Sequence, residues 1–346
     1  MNEISTIGID TAKSVFQLHG IDAVGDCKLV RRLKRREVLA FLGRQPSCTV
    51  ALEACGASHY WGREIEALGH TVKLVPPAFV KRFAEGRRKP DARDAKALAL
   101  AGRSADLRPV PVKSGERQAG LVVVKARSLL VRQHTQLGNA LRGHFAEFGL
   151  TARTGDKGLE GRIDRVESGQ AGLPETCLAA FAALTGQWRR LATEIAALTA
   201  TLLAQAGGNE TVRRLMGVPG VGPVIASVFA LKIDDPSRFA CGRNCAAWLG
   251  LTPNEHSTAG KRRLGAITKA GDEDLRSLLV LGAATLLIRA KRNPQSAGAW
   301  VEGIRKRRPF KVAAVALAAR MARTLWALIK HGASYEPRHA MAARTG

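Results

Sequence analysis

The chain has 346 residues, enough for two or three domains that each bury a core. Lys and Arg number 54 against 29 Asp and Glu, a net charge of +25, and an excess of that size opposes compaction unless a polyanion takes it up. Nucleic acid is the expected partner and a membrane is set aside: no apolar run approaches the roughly 18 residues that span a bilayer, and the opening MNEISTIGID lacks signal-peptide order.

Residues 4–10, 16–21 and 27–33 read as three strands separated by Gly and Asp turn signals, an antiparallel meander. Helical spacing follows at 37–46 and 59–69, and β-branched runs at 48–55 and 71–76 supply two more strands. Three strands followed by alternating helix and strand predict an α/β layer with a mixed five-stranded sheet. Six cysteines form no disulfide framework, and Cys48 and Cys55 are expected to be buried thiols. Cys241 and Cys245 lack a second Cys/His pair at zinc spacing. A soluble, cytoplasmic protein is expected.

Asp10 ends the first strand and Glu53 the fourth, where α/β sheets border their ligand crevices. Asp91 and Asp94 stand three residues apart at the start of a helix and project from one face. Four converging acids in so basic a chain repel one another unless a cation holds them. Two divalent ions about 4 Å apart can clamp the attacking and leaving oxygens of a phosphodiester. Mg²⁺ or Mn²⁺ suits an all-oxygen set. Helix capping by Asp91 and Asp94 is the plainer alternative.

From residue 113 to 205 the texture is long helices, with Arg127, Arg132 and Arg142 between apolar positions and available to track a phosphate backbone. A Gly-rich break at 155–172 separates them from a Leu/Ala-rich stretch that suits a helical hairpin, an oligomer-forming coiled coil or an ordinary packed helix. Between 206 and 332 stand 21 Lys/Arg against 8 Asp/Glu. The segment MGVPGVGPV reads as a helix-hairpin-helix turn whose Gly220 and Gly222 leave amides at a helix N-terminus for a DNA phosphate, or which packs two helices.

The stretch 250–276 joins the hydroxyl pair Ser257-Thr258 to Lys261, Arg262, Arg263, Lys269 and Arg276. Turn formers outnumber apolar residues there, so neither helix nor strand is expected around Ser257. A hydroxyl nucleophile among phosphate-binding cations is what DNA strand cleavage requires. A Ser that bonds its own turn is the ordinary alternative. The tail after Tyr335 is expected to be disordered.

GID at 8–10, LEACG at 52–56 and KPDARDAKALA at 89–99, with PGVGPVIA, DPSRF, AAWLGLTP and HSTAGKRRLGAITKAGD in order behind them, resemble the DEDD transposases of insertion sequences. That resemblance implies a ribonuclease-H-like, resolvase-like domain at 1–112, a helical linker or coiled coil at 113–205, a mainly α transposase domain at 206–332 and a tail at 333–346. It further implies metal binding by Asp10, Glu53, Asp91 and Asp94, Ser257 as nucleophile, a dimer-to-tetramer and an element-encoded guide RNA that selects donor and target DNA in a bacterial cell. Thr258 stands where relatives often carry a second Ser. A resolvase-type nuclease without a covalent intermediate, or a non-catalytic nucleic-acid binder, would leave Ser257 idle.

Overall fold

A computed structural model describes residues 3–83, 91–233, 235–256, 263–293 and 298–336. The chain divides into two compact units, Met1–Gln118 and Ala119–Gly346.

The first unit contains β1 (Thr6–Thr11), β2 (Val15–Ile21), β3 (Cys27–Lys34), α1 (Val38–Leu42), β4 (Thr49–Glu53), α2 (Ser58–Ala67), β5 (Thr71–Val75), α3 (Pro77–Val80) and α4 (Asp91–Arg103). Its sheet runs β3-β2-β1-β4-β5. β1, β2 and β3 pair antiparallel, while β1, β4 and β5 pair parallel, which is the expected mixed sheet.

The pleat sorts the strands between two layers. Ile7, Ile9, Phe16, Leu18, Val50, Leu52 and Leu74 face one side and pack with Trp61 and Ile65 of α2. Each such side chain stabilises the fold by about 1.5–3 kcal/mol relative to exposure. The opposite side receives α4, whose Leu98 and Ala101 pack with Ala51 and Val75. Helix and strand approach closely because Gly8 has no side chain: a methyl there would sit inside the Ala95 carbonyl and the Ala99 amide. Cys48 is buried as expected, and burial pushes its thiol up to about 11. Cys55 is exposed, contrary to expectation, because it lies beyond the last residue of β4 in the turn before α2.

The β2–β3 turn is organised by one carboxylate. Asp22 Oδ1 accepts the amides of Val24, Gly25 and Asp26, and Oδ2 lies 3.2 Å from Lys28 Nζ. Burial alone would raise its pKa, but the donors at Gly25, Asp26, Lys28 and Val24 outweigh that and pull it down to about 2. The folded value lies below the ordinary 3.8, so this stabilisation is complete above 3.8 and is lost as pH falls through about 2. Asp22→Asn is therefore expected to melt earlier than the native chain near neutral pH, with the gap closing between pH 4 and 2. A gap that is unchanged across that window would contradict the assignment.

The second unit begins within α5 (Gly115–Glu147) and continues with α6 (Asp156–Glu167), α7 (Glu175–Gly207), α8 (Glu210–Met216), α9 (Pro223–Lys232), α10 (Gly242–Trp248), β6 (Pro253–Glu255), β7 (Leu264–Ile267), α11 (Glu273–Arg292), α12 (Ala299–Arg307) and α13 (Phe310–His331). α5 and α7 form an antiparallel pair within one chain. Arg127 Nε donates to Thr199 Oγ1 at 2.7 Å, His134 stacks on Trp188, and Phe145 meets Phe181. Arg127 is thus half-buried against α7 and not an exposed phosphate contact. Arg132 lies 3.5 Å from Asp274, and Arg142 donates to the Gly155 carbonyl.

The expected Gly-rich break at 155–172 is mostly the twelve-residue helix α6. Leu159, Ile163 and Val166 recur at helical spacing and are buried with Leu141, Phe145 and Trp188. That burial outweighs the propensity cost of Gly158 and Gly161. Arg189 of α7 donates to Glu160, Asp164 and Glu167 along the other side of α6.

A second core gathers α8 to α13 together with Val124 of α5 and Leu202 and Ala206 of α7. Lys232, at the end of α9, is buried and lies 2.6 Å from Asp272, which also caps α11 by accepting the Leu275 amide. α13 is long and apolar enough, by length and composition, to cross a membrane, contrary to the expectation that no run approaches that length. Its Ala313, Leu317, Met321, Leu325 and Trp326 are part of this core.

Candidate active site

Asp10 and Glu53 occupy the positions that follow the last registered pair, Ile9 with Leu52, on adjacent parallel strands. Gly8 and Ala51 are paired two residues earlier and both face α4, so the pleat turns Asp10 and Glu53 to that face as well. Both are partly exposed, as a ligand requires.

The direction of α4 follows from its contacts. Gly102 lies against Thr6 and Ala51, with 2.5 Å between an added methyl and Ala51 Cβ, whereas Ala95 and Ala99 lie against Gly8. The helix therefore runs antiparallel to β1. Two further strand residues advance about 6.6 Å, or about four residues of helix. That carries residues 91–94 level with Asp10. Small residues along α4 set the depth at which Asp94 stands, and Asp94 is half-buried.

Backbone topology thus brings Asp10, Glu53 and the start of α4 to one end of the sheet. Among the described residues no group of three His, Cys, Asp or Glu side chains is gathered closely enough to hold a metal ion. The Asp91 side chain lies outside the described residues. A set of carboxylate oxygens suits a hard divalent cation better than zinc. Cys245 is buried, and burial pushes its thiol up to about 12.

In the second unit the segment around Ser257 differs from expectation. β6 and β7 pair antiparallel, Pro253 with Ile267 and Glu255 with Leu264, so strands flank it. The His256 amide donates to the Arg263 carbonyl and closes the ladder at 2.8 Å. Both strands are exposed on both faces, so no alternation of apolar and polar residues announced them. Ser257, Thr258, Lys261 and Arg262 lie outside the described residues.

The basic residues that were expected to hold phosphate divide into two kinds. Arg263 and Lys269 are exposed. Arg276 Nη1 instead donates to the carbonyls of Leu249 and Ala270, at 3.1 and 2.8 Å, and ties the foot of the hairpin to α11. Gly220 and Gly222 do form the turn between α8 and α9, with Pro223 in the first turn of α9. Gly220 adopts φ +84 and its carbonyl presses on Gly282 of α11, so this turn is also a packing contact. Missed from the sequence were Lys232 and Asp272, an ion pair whose members stand 40 residues apart.

Two families match this chain in sequence. Residues 7–149 match a transposase family of DEDD type, and residues 212–299 match the Transposase IS116/IS110/IS902 family. Over 97% of its length the chain is 45% identical to a putative transposase of Sinorhizobium fredii, covering 86% of that protein. It is 42% identical to a probable family 20 transposase of Pseudomonas aeruginosa, with 96% and 99% of the two chains aligned. The transposase for insertion sequence element IS1111A of Coxiella burnetii is 33% identical over 97% of this chain and 92% of its own. With both halves matched in order and relatives 33–45% identical along nearly the whole chain, the chain belongs to the IS116/IS110/IS902 family of transposases.

Proposed function

We propose that this transposase acts as a DNA recombinase of an insertion sequence, in which Ser257 makes the covalent attack and the carboxylates of a ribonuclease-H-like first unit hold the metal. The reading is supported by the backbone order, in which Asp10 and Glu53 end adjacent strands and the first turn of α4 comes to the same end of the sheet. Carboxylates drawn together there would repel one another in the absence of a cation. Bound Mg²⁺ or Mn²⁺ would supply charge stabilisation at the phosphoryl oxygens and favour the ionised hydroxyl.

In sequence, Ser257 falls between the two paired strands and shortly before the run Lys261, Arg262 and Arg263. Its Oγ forms a bond to phosphorus while the bond to the departing sugar oxygen breaks. The serine proton leaves to solvent or to the departing oxygen. One phosphodiester replaces another, so rejoining by the reverse attack needs no nucleotide cofactor. Lys269 and Arg263 add positive charge for the equatorial oxygens, and the amides at the start of α9, beside Gly220 and Gly222, suit a neighbouring phosphate.

DNA is the substrate in this reading, a guide RNA encoded by the element selects the sites, the protein assembles as a dimer or tetramer, and it works in the bacterial cytoplasm. The long α5–α7 arm is compatible with the acids and the serine coming from different subunits.

Ser257→Ala is expected to abolish protein–DNA adducts that survive denaturation, while duplex binding stays within about twofold. Undiminished adducts in that variant would reject Ser257 as nucleophile. Metal-dependent cutting by the native chain without any adduct would mean hydrolysis by water at the carboxylates alone. For the RNA, a noncoding stretch beside the gene complementary to both the element junction and the insertion site is expected.

A further inference from the structure

The register extends the carboxylate row across the sheet. Asp10 pairs with Gln17, and Gln17 pairs with Arg32. Paired residues share a face, so Arg32, Gln17, Asp10 and Glu53 line up on the side that receives α4. Lys34, two residues from Arg32, shares that side. The neighbours agree with this parity: Leu29 and Leu33 pack into the opposite core, and Arg31 lies over the Phe41 ring there.

α4 lies over β1, β2 and β4. β3 is an edge strand, and on this side Val30 is 57% exposed and Arg32 and Lys34 are exposed. Among the described residues neither cation forms an ion pair. Charges on edge strands also discourage pairing between molecules. That role is indifferent to face, whereas Arg32 and Lys34 both stand in or beside the carboxylate row. Two strand spacings put Arg32 about 10 Å from Asp10. This is the axial span of about three phosphates along one strand of B-DNA.

We propose that Arg32 and Lys34 are positioning residues that hold the phosphodiester backbone of the DNA strand entering the carboxylate site. The inference rests on the reading of Asp10 and Glu53 as the metal-holding site, and it adds a path for the substrate along the open face of β3. Arginine's fork suits two oxygens of one phosphate, and lysine supplies a point charge on the next.

The test uses the full-length chain carrying Asp10→Asn, so that binding is read without cleavage, and a DNA duplex bearing the element's terminal sequence. Adding Arg32→Ala with Lys34→Ala is expected to weaken binding about tenfold near 0.1 M salt and to make the log–log salt slope shallower by about 1.8. Adding Arg31→Ala alone, on the other face of the same strand, is expected to leave both within error. Neutral methylphosphonates at the three linkages beside the cleaved bond should weaken binding to the parent and not to the double variant. The proposal is overturned if the double variant matches the Arg31→Ala control, if the methylphosphonate effect persists in it, or if the loss appears only with an RNA of the same sequence. Failure of the metal-site reading looks different: these binding differences persist while the native chain cuts no strand with any divalent metal.

Discussion

Asp10→Asn is expected to slow metal-dependent strand cleavage by about 10³-fold or more, equivalent to about 4 kcal/mol at the barrier. Asn keeps the size of the side chain and one oxygen, so the change removes charge and leaves shape. Asp10 stands at the end of β1 beside Glu53 on the next strand. Added Mg²⁺ should raise the melting temperature of the variant less than that of the native chain. Cleavage at the native rate would show that Asp10 holds no metal that matters to the chemistry.

Gly8→Ala is the largest expected loss of stability. The added methyl meets main chain, the Ala95 carbonyl and the Ala99 amide, and not the movable end of a side chain. α4 must then lift from β1. Overpacking of side chains costs about 1–3 kcal/mol, and a clash with helix backbone should exceed that, at about 3 kcal/mol or more. For a unit of this size the melting temperature should fall by on the order of 10–20 °C. Because α4 also carries Asp91 and Asp94, cleavage should fall further than the loss of folded protein accounts for. Gly56→Ala is the control, since nothing lies within 4 Å of a methyl there. Equal melting of the two variants would mean that α4 does not depend on this contact for its place.

Both outcomes depend on the same arrangement, in which a strand residue too small to separate layers lets a helix bring acids to the strand ends. The two effects remain separable, because Asp10→Asn changes chemistry with the fold intact and Gly8→Ala changes the fold with the acids intact.

Much of the first unit was legible because its signals are local. β-branched runs with a period of two, such as TIGID and TVALE, specify strand and face together, and each of the five expected strands has its counterpart in the sheet. The helical spacing of α5 and α7 was equally plain. Errors arose where burial from afar outweighed composition. Gly158 and Gly161 suggested a break, yet Leu159, Ile163 and Val166 found a core on α5 and α7. β6 and β7 carry no apolar alternation because neither face is buried, and only their pairing makes them strands. Cys55 continues the apolar run of β4 in sequence, but the strand ends two residues before it and leaves it exposed.

The sequence by itself determined the chemistry on offer: the excess of positive charge, the four acids at element ends, and the serine among lysines and arginines. Side-chain type and spacing along one chain carry that much. Tertiary structure alone decided which face Asp10 and Glu53 take, that α4 runs antiparallel to β1, and that Arg276 and Arg127 are spent on internal bonds while Arg32 and Lys34 stand open. The physical reason is that register and helix packing are set by contacts between residues far apart in the chain, whose partners no local pattern names.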